Sequence, residues 1–279
     1  MNKRPERFAS QEMSRPKIEV IRTPDSRGES SFSPERGGII TSLKIRDKEL
    51  LYLDPNTFND RTKNVKGGIP VLFPNAGPID HPDYPALKQH GFARNSRWNL
   101  DSADDRGFIE SLHSDQGTRG QFPHDFSLYI KGGFDNDHAF TIEQGVKNEN
   151  TDKAMPVSMG LHPYFRVPND RKGEVKFNFP GGDTAQQKID QWENGQAVSL
   201  ANPSTEKELV PLNLEIPELD KLIITASSEY QRIWVWSMKD MDFICIEPVM
   251  RDAGGLVNNP EFVQPGAIIK PKMKIELHE

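Results

Sequence analysis

The chain has 279 residues, enough for one large domain or two small ones. Its formal charge of −6 at pH 7 argues against general attraction to nucleic acid or to an anionic membrane. Nowhere do about 18 apolar residues run together, which excludes a spanning helix, and 22 prolines and 21 glycines spread along the chain predict many turns.

Residues 1–16 are polar and mixed in charge. They read as a flexible extension, neither signal peptide nor membrane anchor, with order beginning at Lys17. From there the recurring period is two: Ile39, Thr41, Leu43 and Ile45 share one face of a predicted strand that follows Gly37-Gly38. Similar strands are predicted at 49–53, 108–113, 126–131, 140–146, 156–162, 174–179, 222–226, 232–236, 243–247 and 268–277. The segment 181–205, rich in Gln, Asn, Gly and Ser, reads as long loops around one or two weak strands. Helical periodicity is not sustained over a dozen residues. Short strands punctuated by turns predict an all-β, antiparallel sandwich over 17–279 as a single domain. The single cysteine, Cys245, lies in an apolar run and reads as a buried thiol in a reducing, cytoplasmic compartment.

Two segments carry candidate chemistry. Phe243-Ile244-Cys245-Ile246-Glu247-Pro248 is an apolar strand pattern that ends in a carboxylate, and Gly160-Leu161-His162-Pro163-Tyr164-Phe165 places an imidazole among apolar and aromatic residues. A glutamate in such a run is either a rim residue, a partner for an arginine, or a functional acid, because an unpaired buried carboxylate is costly. Glu247 and His162 facing one cavity would form an acid and base pair. A third segment joins Lys66-Gly67-Gly68-Ile69-Pro70-Val71-Leu72-Phe73-Pro74 to Gln89-His90-Gly91-Phe92-Ala93-Arg94-Asn95. Gln89, His90, Arg94 and Asn95 can reach ligand hydroxyls there, with Phe92 and Trp98 as neighbouring apolar surface. His81, His113, His124 and His138 show no metal-ligand spacing and read as surface or loop residues. Trp234 and Trp236 share one strand face and read as packing, while Trp192 could stack on a sugar.

Taken in order, GGIPVLFP, QHGFARNSRW, HPYFRV, Leu219-Asp220-Lys221 and CIEP resemble the aldose 1-epimerase (galactose mutarotase-like) superfamily, nearest the glucose-6-phosphate 1-epimerase branch. The resemblance runs from Ile18 to the carboxyl terminus. It implies a β-supersandwich and interconversion of the α and β anomers of a hexose, with His162 as general acid on the ring oxygen and Glu247 as base on the C1 hydroxyl. It further implies that His90 and Asp220 hold sugar hydroxyls and that neither metal nor nucleotide is required. Gln89, Arg94 and Lys66 complete the expected substrate-binding set. Asp190 is the rival of Asp220.

Lys66 stands where the phosphosugar branch looks to an arginine. Lysine binds phosphate as a point charge without the planar two-toothed contact, so both a free hexose and a hexose 6-phosphate stay open as substrate. A non-catalytic carbohydrate-binding module is the reading from another class. The sequence leaves the oligomeric state open.

Overall fold

The structure, a computed structural model, describes residues 15–188 and 196–278. All pairings between its strands are antiparallel. Three larger sheets and one two-stranded ribbon make up the β structure. The first sheet has four strands, Glu19–Arg22, Glu29–Ser33, Ile39–Ile45 and Lys48–Glu49. The second has six, ordered Val198–Ala201, Arg232–Trp236, Phe243–Val249, Gly160–Leu161 and Val71–Leu72, with Tyr164–Arg166 also paired to Phe243–Val249. The third has nine strands and includes Phe126–Asn136, Ala139–Asn148, Asp220–Ala226 and Lys272–His278.

The six- and nine-stranded sheets face each other across a shared core. Gln144 on Ala139–Asn148 donates from its amide to the backbone oxygen of Leu72 at 3.2 Å and accepts from the hydroxyl of Tyr230 at 3.0 Å. That pairing satisfies a fully buried amide that would otherwise cost a few kcal/mol. One contiguous apolar cluster draws on residues from Ile21 to Leu277. The four-stranded sheet joins it through Phe32, whose ring stacks on Phe108 of the nine-stranded sheet with centroids 3.8 Å apart. Each such buried ring contributes roughly 1.5 to 3 kcal/mol through the area it removes from water.

The strand Phe243–Val249 is buried at every position, unlike Phe126–Asn136, whose burial alternates in its first part. Its Ile244 and Ile246 face the main core. Phe243 and Cys245, on the opposite face, join a separate cluster with Tyr164, Trp236 and Met238. Both faces are therefore covered, and Glu247 shares the face of Phe243 and Cys245 because strand side chains alternate.

Several boundaries differ from those the sequence predicts. The segment 156–162 is not one strand: Met155–Val157 pairs with Glu261–Val263, and Gly160–Leu161 turns into the six-stranded sheet. The run 268–277 breaks at Pro271, which lacks a ladder donor. Residues Asn169–Glu174 form a 3₁₀ helix ahead of a short strand at Lys176–Asn178. Within 181–205 a helix occupies Gly182–Lys188 and a strand Val198–Ala201. Ala185 is the apolar residue of that helix that enters the core, so period analysis had little to detect.

Candidate active site

Glu247 lies opposite Trp234 in the strand register, and Cys245 lies between Trp236 on one neighbour and Tyr164 on the other. Residues directly opposite in antiparallel strands point to the same face. The sheet thus presents a carboxylate ringed by aromatic side chains. His162 enters from the break between Gly160–Leu161 and Tyr164–Arg166, where its backbone N–H donates to the Pro70 oxygen at 3.1 Å. Its ring is stacked on Tyr164, centroids 4.6 Å apart and planes 7° from parallel, and meets the edge of Trp236 at 5.9 Å.

These contacts hold His162 Nε2 3.5 Å from Glu247 Oε1, with the two side chains only 6% and 2% exposed. His162 Nδ1 and Glu247 Oε2 are buried without a hydrogen-bond partner. Burial raises the Glu247 carboxyl well above its ordinary range, with Arg94 opposing. Burial lowers the His162 imidazole well below its own, and the neighbouring His90 and Arg94 add to that. Both groups are driven toward their neutral forms, which for this pair means one shared proton, residing on the carboxyl.

His90 is fixed by its backbone. It takes φ of +67° and is followed by Gly91 at +69°. A side chain at Gly91 would place Cβ 1.9 Å from the Phe73 oxygen, so the close approach of this turn to Phe73 requires glycine. The His90 N–H donates to the Gly77 oxygen at 3.0 Å, and the Gly77 N–H donates back to His90 Nδ1 at 3.0 Å. With Nδ1 accepting, the neutral ring carries its proton on Nε2, which lies 3.1 Å from the Gln89 side-chain nitrogen and finds an acceptor there when that amide turns its oxygen to the ring. Burial, helped by the charge of Arg94, pushes the His90 pKa down to about 3, so it acts as a neutral hydrogen-bonding group. Arg94 Nη2 donates to the backbone oxygen of Gln89 at 2.9 Å, while its buried Nε has no partner.

All of these side chains line one cavity of about 700 Å³, together with Lys66, Gly77, Trp234, Trp236, Ser199 and Asp252. That volume is in the range of small-molecule sites. Of the predicted site residues, the fold brings His162, Glu247, His90, Arg94, Gln89 and Lys66 to this cavity. The backbone of Asp220 instead opens a strand of the nine-stranded sheet opposite Ile216. Its side chain, like Asp190 and Trp192, lies outside the described residues. Among the described residues the carboxylates of the lining are Glu247 and Asp252.

A family model described as Aldose 1-epimerase matches residues 19–250, most of the chain. The chain belongs to the aldose 1-epimerase family. Among curated relatives, a Salmonella typhimurium protein named "Putative glucose-6-phosphate 1-epimerase" is 29% identical over 154 residues, covering 54% of this chain and 49% of that protein. An Escherichia coli protein of the same name is 28% identical over 162 residues, covering 57% and 52%. The chain spans about half the length of the curated relatives it matches. Of the solved structures, the Slr1438 protein of Synechocystis sp. PCC 6803 gives a TM-score of 0.73 at 25% identity, covering 94% of this chain and 96% of that one. The galactose mutarotase related enzyme of Lactobacillus acidophilus gives 0.67 at 17% identity, covering 94% and 98%, a likeness of fold.

This member of the aldose 1-epimerase family also shows what sequence reasoning missed. Trp234 and Trp236 line the cavity rather than serving packing alone, and the Trp234 indole N–H donates to Asp252 at 3.1 Å. Their alternation on the strand beside Glu247 was the available signal. Asp252 also accepts from Ser199 and pairs with Arg232 at 3.1 Å, which holds its carboxyl below the usual range against partial burial. Phe92 and Trp98 are buried in the core and offer the cavity no surface. His124 is buried against Phe122, not on the surface. Asn95 bonds to Asn64, and Arg166 is an exposed strand-end charge. Cys245, His162 and Glu247 hold donor atoms within 4.8 Å of one another, a set capable of gripping a soft cation.

Proposed function

We propose that the chain is an isomerase that interconverts the α and β anomers of a hexose by general acid and base ring opening. The observation that carries this reading is the close pairing of His162 with Glu247 at the base of a sugar-sized cavity. Ring opening removes a proton from the C1 hydroxyl and delivers one to the ring oxygen, so an acid and a base must act together. Glu247 takes the C1 hydroxyl proton and His162 delivers a proton to the ring oxygen. The aldehyde then rotates, and the roles reverse on closure. The proton shared by the pair is enough for this cycle, because moving it from carboxyl to imidazole creates the working acid and the working base at once. His90 donates from Nε2 to a sugar hydroxyl, and the aromatic walls of Trp234 and Trp236 suit an apolar sugar face. The neutral thiol of Cys245, raised by burial and by Glu247, takes no part. The sandwich of residues 17–279 is read as a single domain, with the large apolar cluster that draws on residues from Ile21 to Leu277 as support. A reducing, cytoplasmic location follows from the lone buried Cys245; among the described residues no helix is long and apolar enough to cross a membrane.

A hexose 6-phosphate is the second reading, favoured by the two cations of the lining and by the names of the curated relatives. Among the described residues Lys66 Nζ has no hydrogen-bond or ion-pair partner, and Arg94 Nε is likewise unengaged. Mutarotation of freshly dissolved α-glucose, α-galactose and α-glucose 6-phosphate, followed in parallel with the wild type and Lys66→Ala, tests both readings. Equal acceleration of free sugars by both proteins supports the hexose. A preference for the ester that drops about tenfold or more in kcat/KM on Lys66→Ala supports the phosphate, by the loss of one charge-assisted contact. No acceleration of any of the three removes the epimerase reading.

A further inference from the structure

We propose that His138, Glu276 and His278 form a binding site for a divalent transition metal of the zinc class, apart from the cavity. None of the three lines the cavity. The site stands at the end of two paired strands of the nine-stranded sheet. Glu276 is opposite Ala139, and the Leu277 N–H donates to the His138 oxygen at 3.0 Å, which locks His138 beside the carboxyl-terminal strand. Along Lys272–His278 the residues Met273, Ile275 and Leu277 are buried, so Glu276 and His278, two apart, share the outer face. One donor atom from each of the three residues lies within 4.8 Å of the others. The two imidazoles have centroids 5.4 Å apart with planes at 67°.

A second observation singles this cluster out from ordinary surface histidines. Nδ1 of His138 lies 2.9 Å from Asp137 Oδ1. That hydrogen bond places the ring proton on Nδ1 and leaves the lone pair on Nε2, the carboxylate–histidine arrangement that orients metal-binding imidazoles. Asp137 also approaches Arg46 at 4.0 Å. Lys274 Nζ donates to Glu276 Oε1 at 2.9 Å, and His278 Nε2 is 3.9 Å from that same oxygen, so the carboxylate and the second imidazole already face each other. Two imidazoles and one carboxylate select Zn²⁺, Cu²⁺ or Ni²⁺ over Mg²⁺ and Ca²⁺. Three protein ligands leave a fourth position for water. The bound ion would join the 136–139 turn to the final strand and stabilise the folded chain by mass action.

The test is calorimetric titration of the full chain, first stripped with chelator, with ZnCl₂. The wild type is expected to bind one equivalent at this site and to melt at a higher temperature with Zn²⁺ present. His138→Gln and His278→Gln should each weaken that binding by about tenfold or more, and the double variant should lose the thermal shift. Cys245→Ser should leave both unchanged. Absence of Zn²⁺ uptake by the wild type would overturn the proposal, as would uptake that survives in the His138→Gln/His278→Gln double variant. Uptake abolished by Cys245→Ser would also overturn it, by placing the ion at the cavity instead.

Discussion

His162 Nε2 and Glu247 Oε1 face each other at 3.5 Å in a setting that disfavours charge on either. Between the pH at which the pair gains a second proton and the pH at which it loses its only one, the proton count is the one that ring opening needs. His162 is lowered, so the acid limb of kcat/KM should fall below 6.5. Glu247 is raised, so the alkaline limb should lie well above 4.5. The plateau should lie between these two limbs, which belong to the pair rather than to either residue. An acid limb at or above 6.5 would indicate a solvated histidine and contradict this geometry.

The same burial predicts that function is held at a cost in stability. Glu247 has a folded pKa above its unfolded value, so its contribution is complete below about 4.5 and is lost as pH rises toward the folded value. Glu247→Gln removes that loss. Its melting temperature at pH 8 should equal or exceed that of the wild type, and the difference should shrink toward pH 4.5, while activity falls by about 10²- to 10⁴-fold. Paired thermal scans at the two pH values measure it.

Glu110 offers a second linkage, away from the cavity. It is fully buried on the strand Gly107–His113, neither carboxylate oxygen has a partner, and burial, with Asp101 and Glu19 nearby, raises its pKa to about 8. The folded state keeps its proton where the unfolded chain has lost it. Stability should consequently decline between about pH 4.5 and 8, by at most about 1.4 kcal/mol per unit, and level off above. Glu110→Gln should flatten this slope in urea titrations across that range, leaving other groups to supply what remains.

Gly91→Ala should be among the most damaging single substitutions. The added Cβ meets the Phe73 oxygen at 1.9 Å in a left-handed backbone, where two penalties of roughly 1 to 3 kcal/mol combine. Protein that still folds should have a displaced His90 and a raised KM. Gly173→Ala, where a Cβ meets nothing within 4 Å, is the control and should shift neither.

The sequence made the acid and base legible because both break a pattern. Glu247 interrupts an otherwise apolar strand and His162 interrupts an aromatic run. His90 and Arg94 were legible through the glycine between His90 and Phe92 and the density of polar groups around it. Other features left no local trace. Asn99–Ala103 is exposed at every residue and Phe243–Val249 buried at every residue, so neither alternates. Asp252 follows the strand of Glu247 in a loop and is brought to the cavity by Trp234, Ser199 and Arg232, contacts of tertiary origin. His138 and His278 sit too far apart in sequence for any spacing rule to join them.

In the proposed reaction His162 and Glu247 transfer the protons of ring opening. Anomer exchange measured by NMR magnetisation transfer on glucose and glucose 6-phosphate, with sugar affinity measured alongside, tests it most directly. The wild type should accelerate exchange of at least one sugar, and Glu247→Gln and His162→Gln should each abolish the acceleration while binding that sugar within a few-fold of the wild type. Exchange that persists in either variant, or a wild type that binds sugar without accelerating exchange, would contradict the account and favour a carbohydrate-binding module.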